Sequence, residues 1–127
     1  MPGERILIVD DNATNLKLVA YLMQQHGYTV GTAKDASAAI ASIASDHPTL
    51  ILMDLQLPGV DGLTLTRQLK SDPATSDITI VALTAYAMKG DQERALAAGC
   101  DDYVSKPIDT RALPLVVAKH IALRGAR

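Results

Sequence analysis

Three short strand-like runs in this sequence each end in residues that bind metals or phosphate groups. Asp10 and Asp11 follow the run ILIV, Asp54 follows LILM, and Lys106 follows YVS. If the runs are neighbouring parallel strands, their carboxyl ends share one edge of a sheet, where three carboxylates and one ammonium converge. Carboxylates that close repel one another unless a cation lies between them. Mg²⁺ prefers oxygen ligands and keeps positions open for water or phosphate, so the pattern predicts a magnesium site suited to phosphoryl chemistry.

Length and composition indicate one folded domain. The chain has 127 residues, of which 48% are hydrophobic and 20% charged, so it can bury a core. It contains no Phe or Trp, so Val, Ile, Leu and Ala must build that core. We expect one domain over residues 1–127, with its core at about 4–123.

Charge and hydropathy exclude two partner classes. The net charge is −2 and no basic run is present, which disfavours direct nucleic-acid binding. No apolar stretch approaches the ~20 residues that a membrane span needs. The amino-terminal residues do not resemble a signal peptide, so a cytoplasmic location without membrane contact is predicted.

Apolar runs alternate with stretches of helical periodicity along the whole chain. Strands are predicted over Arg5–Val9, Thr29–Ala33, Thr49–Met53, Ile78–Leu83 and Tyr103–Val104. Helices are predicted from a cap at Asn12 or Thr14 to Gly27, after a cap at Asp35 with Ile40 and Ile43 on one face, through Leu63–Leu69, over Met88–Ala98 and over Thr110–Leu123. Alternating β and α elements imply a parallel sheet covered by helices on both faces. Ligands of such α/β sheets bind beyond the carboxyl ends of the strands, where the charged residues lie.

Four segments in this order resemble the landmarks of the response regulator receiver domains of two-component signalling. They are ILIVDDN, LILMDLQLPGVDG, ALTAYA and YVSKPI, and the resemblance covers essentially the whole chain. The segment TAYAMKGD further resembles bacterial cell-cycle regulators of the DivK kind. The resemblance implies a doubly wound, flavodoxin-like (βα)₅ fold with strand order 2-1-3-4-5.

The resemblance also implies roles for the residues at the strand ends. Asp54 would accept a phosphoryl group from a phosphohistidine on a histidine kinase or a histidine phosphotransfer protein. Asp11, Asp54 and the backbone carbonyl of Gln56 would bind Mg²⁺ directly, and Asp10 would hold it through water. Mn²⁺ would substitute for Mg²⁺, and no other cofactor is expected.

Further residues would respond to the phosphate. Lys106 would pair with Asp54 and then with the phosphate, and the Lys106–Pro107 peptide bond would be cis. Thr84 would hydrogen-bond the phosphoryl oxygens, and Tyr103 would be the aromatic switch residue. Their movement would reshape the surface around the fourth helix, fifth strand and fifth helix, and so control the binding of a downstream regulated protein.

Two positions are predicted to tune the lifetime of the phosphorylated state. Gln56 lies two residues after Asp54, and Tyr86 lies two residues after Thr84. In receiver domains these positions flank the phosphoryl group. We hypothesise that the bulky Tyr86 shields it from water and prolongs its lifetime, so equal hydrolysis rates in Tyr86→Ala and the parent would contradict the idea.

Each site residue also has a simpler structural interpretation. Asp10 and Asp11 could cap a helix, Thr84 could be a strand-end hydroxyl, and Tyr103 could be an ordinary half-buried tyrosine. Cys100 is expected to be a small core residue, and the pair after it, Asp101 and Asp102, to be surface charge. No catalytic role is assigned to the three histidines, His26, His47 and His120.

Three alternative functions stay open at this point. The first is a receiver module of a hybrid histidine kinase or of a longer response regulator. An aspartyl-phosphate phosphatase would need a second acid two residues after its nucleophile, where this chain has Gln56. A flavodoxin-like cofactor binder would need a Ser/Thr/Gly-rich loop after the first strand. We expect a stand-alone monomer or weak dimer that converts no metabolite and only gains and loses its own phosphate at Asp54.

Overall fold

A single parallel sheet of five strands forms the centre of the molecule. The computed structural model describes residues 4–57, 59, 61–84 and 89–125. The strands are β1 Arg5–Val9, β2 Thr29–Ala33, β3 Leu50–Asp54, β4 Thr79–Thr84 and β5 Asp102–Ser105. They lie in the order β2-β1-β3-β4-β5, and every neighbouring pair is parallel. The predicted doubly wound fold and its strand order are confirmed.

A helix follows each of the five strands in the described part of the chain. The helices are α1 Ala13–Gln25, α2 Ala36–Ser45, α3 Gly62–Ser71, α4 Lys89–Ala98 and α5 Ala112–Gly125. None of the helices in the described part of the chain is long and apolar enough to cross a membrane.

Local signals start and end these helices. The side chains of Asn12, Asp35 and Asp61 accept hydrogen bonds from the backbone N–H three residues later, which caps α1, α2 and α3. Asn12, and not Thr14, is therefore the cap of α1. Gly27 has a φ of 90° directly after α1, a conformation that glycine adopts without steric cost.

The strands contribute alternate residues to two cores, one on each side of the sheet. Ile6, Ile8, Leu50 and Leu52 pack with residues of α1 and α5. Their chain neighbours on the other face pack with residues of α2, α3 and α4. All residues of β3 and β4 are buried, as expected of central strands that helices cover on both faces.

Asp101 and Asp102 are more than the surface charge predicted for them. The Asp101 carboxylate accepts hydrogen bonds from the Ile80 N–H at 2.8 Å and from the Lys70 Nζ at 2.9 Å. Asp102 lies within β5, and its carboxylate is 2.9 Å from Nε2 of His120 on α5. Both carboxylates therefore join elements that are distant in sequence.

Candidate functional site

The register of the sheet brings the predicted site residues to one edge. Val9 pairs with Met53 across the boundary between β1 and β3, so Asp10 and Asp54, the next residues, lie side by side. This boundary is where the strand order reverses, which leaves a crevice at the carboxyl ends. Thr84 pairs with Ser105, and Lys106 follows directly. The carboxyl ends of β1, β3, β4 and β5 therefore bring these residues to the same crevice.

Lys106 forms ion pairs with two buried carboxylates. Its Nζ lies 3.2 Å from Oδ2 of Asp54 and 3.4 Å from Oδ2 of Asp10. The side chains of Asp10 and Asp54 are 1% and 2% exposed, so water screens these charges weakly. One ammonium facing two carboxylates leaves the pocket with excess negative charge.

The acidic cluster has the composition and spacing of a divalent-cation site. One oxygen from each of Asp10, Asp11 and Asp54 lies within 4.8 Å of the others. Oδ1 of Asp10 accepts the Asn12 N–H at 2.9 Å, and Oδ1 of Asp54 accepts the Gln56 N–H at 2.9 Å. Oδ2 of Asp10 is buried and accepts no hydrogen bond from the described residues. A buried carboxylate oxygen that accepts no hydrogen bond is available to bind Mg²⁺, which takes oxygen ligands.

The surroundings of Asp54 disfavour its charge. Burial raises the pKa of its carboxyl above the ordinary value, and the negative charge of Asp10 acts in the same direction. The Gln56 N–H and the Lys106 ammonium lower that pKa but do not cancel the increase. A group that neutralised the remaining charge would therefore stabilise the ionised, nucleophilic form.

The other predicted residues lie around this pocket at different depths. Thr84 is the buried last residue of β4, and its carbonyl accepts the Lys106 N–H at 2.7 Å. Tyr103 is partly buried on β5 and packs against the core between the sheet and α2, α3 and α4. Gln56 is exposed in the loop after β3. The Lys106–Pro107 peptide bond is cis, the isomer that the resemblance implied, while Tyr86 lies outside the described residues.

Gly62 belongs to the surroundings of the site, although the sequence alone predicted no role for it. It begins α3, and a side chain there would collide with the backbone carbonyl of Asp54. The residues around Gly62 form no local sequence pattern that would indicate its contact with Asp54. Only the close approach of α3 to the end of β3 shows why this position has no side chain.

Comparison with known proteins agrees with this architecture. The sequence matches the family model described as the response regulator receiver domain over residues 6–118. The polar-differentiation response regulator DivK of Brucella ovis is 45% identical over 103 residues, which cover 81% of this chain and 84% of DivK.

Two solved structures share the fold over nearly their whole lengths. A CheY-like response regulator receiver domain protein from Methanospirillum hungatei superposes with a TM-score of 0.89, at 27% identity, over 98% of each chain. The receiver domain of the sensor histidine kinase PA1611 from Pseudomonas aeruginosa has a TM-score of 0.86 and 34% identity, covering 94% of this chain and 98% of its own. That structure has a magnesium ion coordinated in its active-site cleft.

The family match covers most of the chain, and the relatives agree with it in sequence and in overall fold. The chain therefore belongs to the response regulator receiver domains of two-component signalling.

Proposed function

We propose that Asp54 is the phosphoacceptor of this receiver domain. It takes a phosphoryl group from a phosphohistidine on a histidine kinase or a histidine phosphotransfer protein. The observation that carries the proposal is the convergence of Asp10, Asp11, Asp54 and Lys106 at the crevice where the strand order reverses. Phosphoryl transfer requires a positioned nucleophile and charge neutralisation more than covalent machinery, and this pocket offers both.

Transfer exchanges one phosphorus bond for another. A carboxylate oxygen of Asp54 forms a P–O bond while the P–N bond to the donor imidazole breaks, and that nitrogen keeps the electron pair. The Gln56 N–H holds one Asp54 oxygen at 2.9 Å and so limits rotation of the carboxylate. The nucleophile is therefore oriented before the donor arrives.

Lys106 would follow the negative charge as it moves. In the structure its ammonium lies between Asp54 and Asp10. Once Asp54 carries the phosphoryl group as an acyl phosphate, the nearest new negative charge is on the phosphoryl oxygens, which a lysine can contact as a point charge. The ion pair with Asp10 would keep the ammonium at the pocket during this change.

Asp10, Asp11, Asp54 and the carbonyl of Gln56 would hold Mg²⁺, or Mn²⁺ in its place. When bound, the ion offsets negative charge on the phosphoryl oxygens. The buried, unsatisfied Oδ2 of Asp10 and the spacing of the three carboxylates support this assignment.

The phosphate would be sensed by Thr84 and Tyr103. The new group adds roughly −1.5 to −2 charges and three acceptor oxygens. The Thr84 hydroxyl would donate to one of them, and Tyr103 would rotate into the space that Thr84 leaves. The result would be an altered surface over α4, β5 and α5, to which a downstream protein binds. Gln56 and Tyr86 would set how fast water removes the phosphate.

The location and oligomeric state of the protein, and its place in a longer chain, are also matters of proposal. We propose a cytoplasmic protein that is monomeric or weakly dimeric and acts on its own phosphate alone. A role as one module of a longer kinase or regulator is the main alternative, because a receiver domain of a sensor histidine kinase is among the similar structures. The phosphatase alternative is weaker, since the amide of Gln56 cannot serve as the required second acid.

The test is the intact mass of the protein after incubation with acetyl phosphate and Mg²⁺. We expect one phosphoryl adduct in the parent and in Asp35→Asn, which removes an aspartate from the cap of α2. Asp54→Asn, or the parent in EDTA, should form none. An adduct that persists in Asp54→Asn would rule out this phosphoacceptor.

A further inference from the structure

The first turn of α3 lies directly against the backbone of the phosphoacceptor. A Cβ atom on Gly62 would be 2.3 Å from the carbonyl oxygen of Asp54 and 2.8 Å from Cα of Leu55. The Gly62 N–H also donates to the Leu55 carbonyl at 3.3 Å. The first turn of α3 therefore packs directly against the peptide that joins Asp54 to Leu55.

Space, rather than backbone conformation, requires glycine at position 62. The described glycines with positive φ are Gly27, Gly59 and Gly99, so Gly62 has a backbone that any residue could adopt. The colliding atoms belong to backbone and cannot rotate away. Gly31 offers a contrast, because the three atoms nearest to a Cβ there, at 2.5–3.3 Å, all belong to the guanidinium of the Arg5 side chain and none to backbone.

The segment that Gly62 contacts carries two groups proposed to act in transfer, the carboxylate of Asp54 and the backbone carbonyl of Gln56. Asp54 supplies the nucleophile, and its Oδ1 accepts the Gln56 N–H at 2.9 Å. The Leu55 N–H donates to the Leu83 carbonyl at 3.1 Å, which holds the other side of the segment to β4. The end of β3 is thus clamped between β4 and α3.

Helix α3 is itself held too firmly to yield. The buried hydroxyl of Thr66 donates to the Gly62 carbonyl at 2.7 Å. Leu65 and Leu69 are buried in the core, and Asp61 caps the helix through the Thr64 N–H at 2.8 Å. A side chain at position 62 would therefore push on the Asp54–Gln56 segment as well as on the helix.

We infer that Gly62 is a positioning residue for phosphoryl transfer, an inference that rests on the proposed function. Its missing side chain lets α3 hold the nucleophile of Asp54 and the carbonyl of Gln56 where they act together on phosphate and divalent cation. Any larger residue displaces these two groups relative to Asp10 and Lys106.

The test compares Gly62→Ala with the matched control Gly31→Ala. The measurements are Mg²⁺ affinity by isothermal titration calorimetry, and the rate of adduct formation from acetyl phosphate at saturating Mg²⁺. In Gly62→Ala we expect both to fall about tenfold or more, as when supporting residues of a site are displaced. Gly31→Ala should stay within about twofold of the parent on both, since its collision is relieved by one side chain.

A merely structural role would lower the free energy of unfolding and leave the folded protein binding Mg²⁺ normally. Folded Gly62→Ala with the affinity and rate of the parent would therefore overturn the inference while the proposed function stood. A parent that neither binds Mg²⁺ nor takes phosphate would overturn the proposed function, and this inference with it.

If Gly62→Ala does not fold, Thr66→Val takes its place. It removes the hydroxyl that anchors the Gly62 carbonyl and adds no atom between α3 and β3. We expect about a threefold loss of Mg²⁺ affinity, in keeping with one hydrogen bond. Affinity and rate equal to those of the parent in this variant would overturn the inference.

Discussion

Asp54 is a carboxylate in a place where water scarcely reaches. It is 1% exposed, and the cation that pairs with it among the described residues, Lys106, is shared with Asp10. The site therefore holds more negative charge than its own residues neutralise. At the scale of single residues, this excess charge favours a cation at the site and opposes folding, because buried like charges repel one another.

We predict that Asp54→Asn stabilises the fold at neutral pH when EDTA is present. The folded pKa of Asp54 is raised, so the contribution of this group to stability is greatest below its unfolded pKa of about 4 and is lost as pH rises through the folded value. Asn cannot ionise and avoids this loss. Urea unfolding followed by circular dichroism should show little difference near pH 4 and a higher free energy of unfolding for Asn at pH 7. A parent that is the more stable at pH 7 would contradict this prediction.

Cys100 is predicted to be unreactive in the native protein. Burial raises the pKa of its thiol to about 11, and its Sγ lies 3.9 Å from the Thr66 hydroxyl. Little thiolate forms at pH 8, and reagents reach the sulfur poorly. Iodoacetamide should label the urea-unfolded chain completely over a period that leaves the native protein unlabelled by mass. Equal labelling of the two states would show that this region opens readily.

Between elements, pairs of charged side chains add links that backbone hydrogen bonds do not supply. Lys70 on α3 donates to the Ile78 carbonyl at 2.7 Å and to Asp101 at 2.9 Å. Asp101 accepts the Ile80 N–H, so α3, β4 and the turn before β5 are joined. Nε2 of His120 lies 2.9 Å from the Asp102 carboxylate, and this contact links α5 to β5 next to Tyr103. Within the surface proposed to switch, the first residue of β5 is thus held to α5.

Asp101→Ala should destabilise the protein by about 1–3 kcal/mol, because the Ile80 N–H loses its acceptor and Lys70 loses one of its two. Asp101→Asn keeps an acceptor oxygen but loses the charge, so its cost should be smaller. The measurement is chemical unfolding of both variants at pH 7. If Asn cost as much as Ala, the ion pair with Lys70 would outweigh the bond to Ile80.

For the molecule as a whole, the site depends on four chain segments that only the folded sheet holds together. Residues directly after β1 and β5 and the last residues of β3 and β4 line the same crevice. Any ligand that binds the assembled crevice but not the unfolded chain must therefore stabilise the entire domain.

Mg²⁺ should raise the thermal unfolding midpoint of the parent. A ligand at about 100 times its dissociation constant adds about 2.7 kcal/mol of stability, which corresponds to a shift of several degrees. Asp54→Asn lacks one predicted ligand and should show a much smaller shift. Calorimetric scans in Mg²⁺ and in EDTA measure both, and coincident midpoints for the parent would count against the metal site.

The sequence alone was enough to identify the elements and the residues at their ends. Apolar runs, the caps at Asn12 and Asp35 and the glycine after α1 are local signals, so predicted and observed boundaries agree within a few residues. Asp10, Asp54 and Lys106 were found because a charge directly after a buried strand stands out in the sequence. The strand order followed from the family resemblance, since the residue pattern alone permitted more than one topology.

Only the tertiary structure decided which distant residues touch. Ile40 and Ile43 share a face of α2 in the sequence pattern, yet Ile40 is 50% exposed and Ile43 only 6%, because neighbouring elements cover only part of that face. The links from Asp101 to Lys70 and from Asp102 to His120 span 31 and 18 residues. The need for glycine at position 62 likewise arises from the approach of α3 to β3. Local patterns record how a segment folds on itself, whereas contacts of this kind depend on how whole elements pack together.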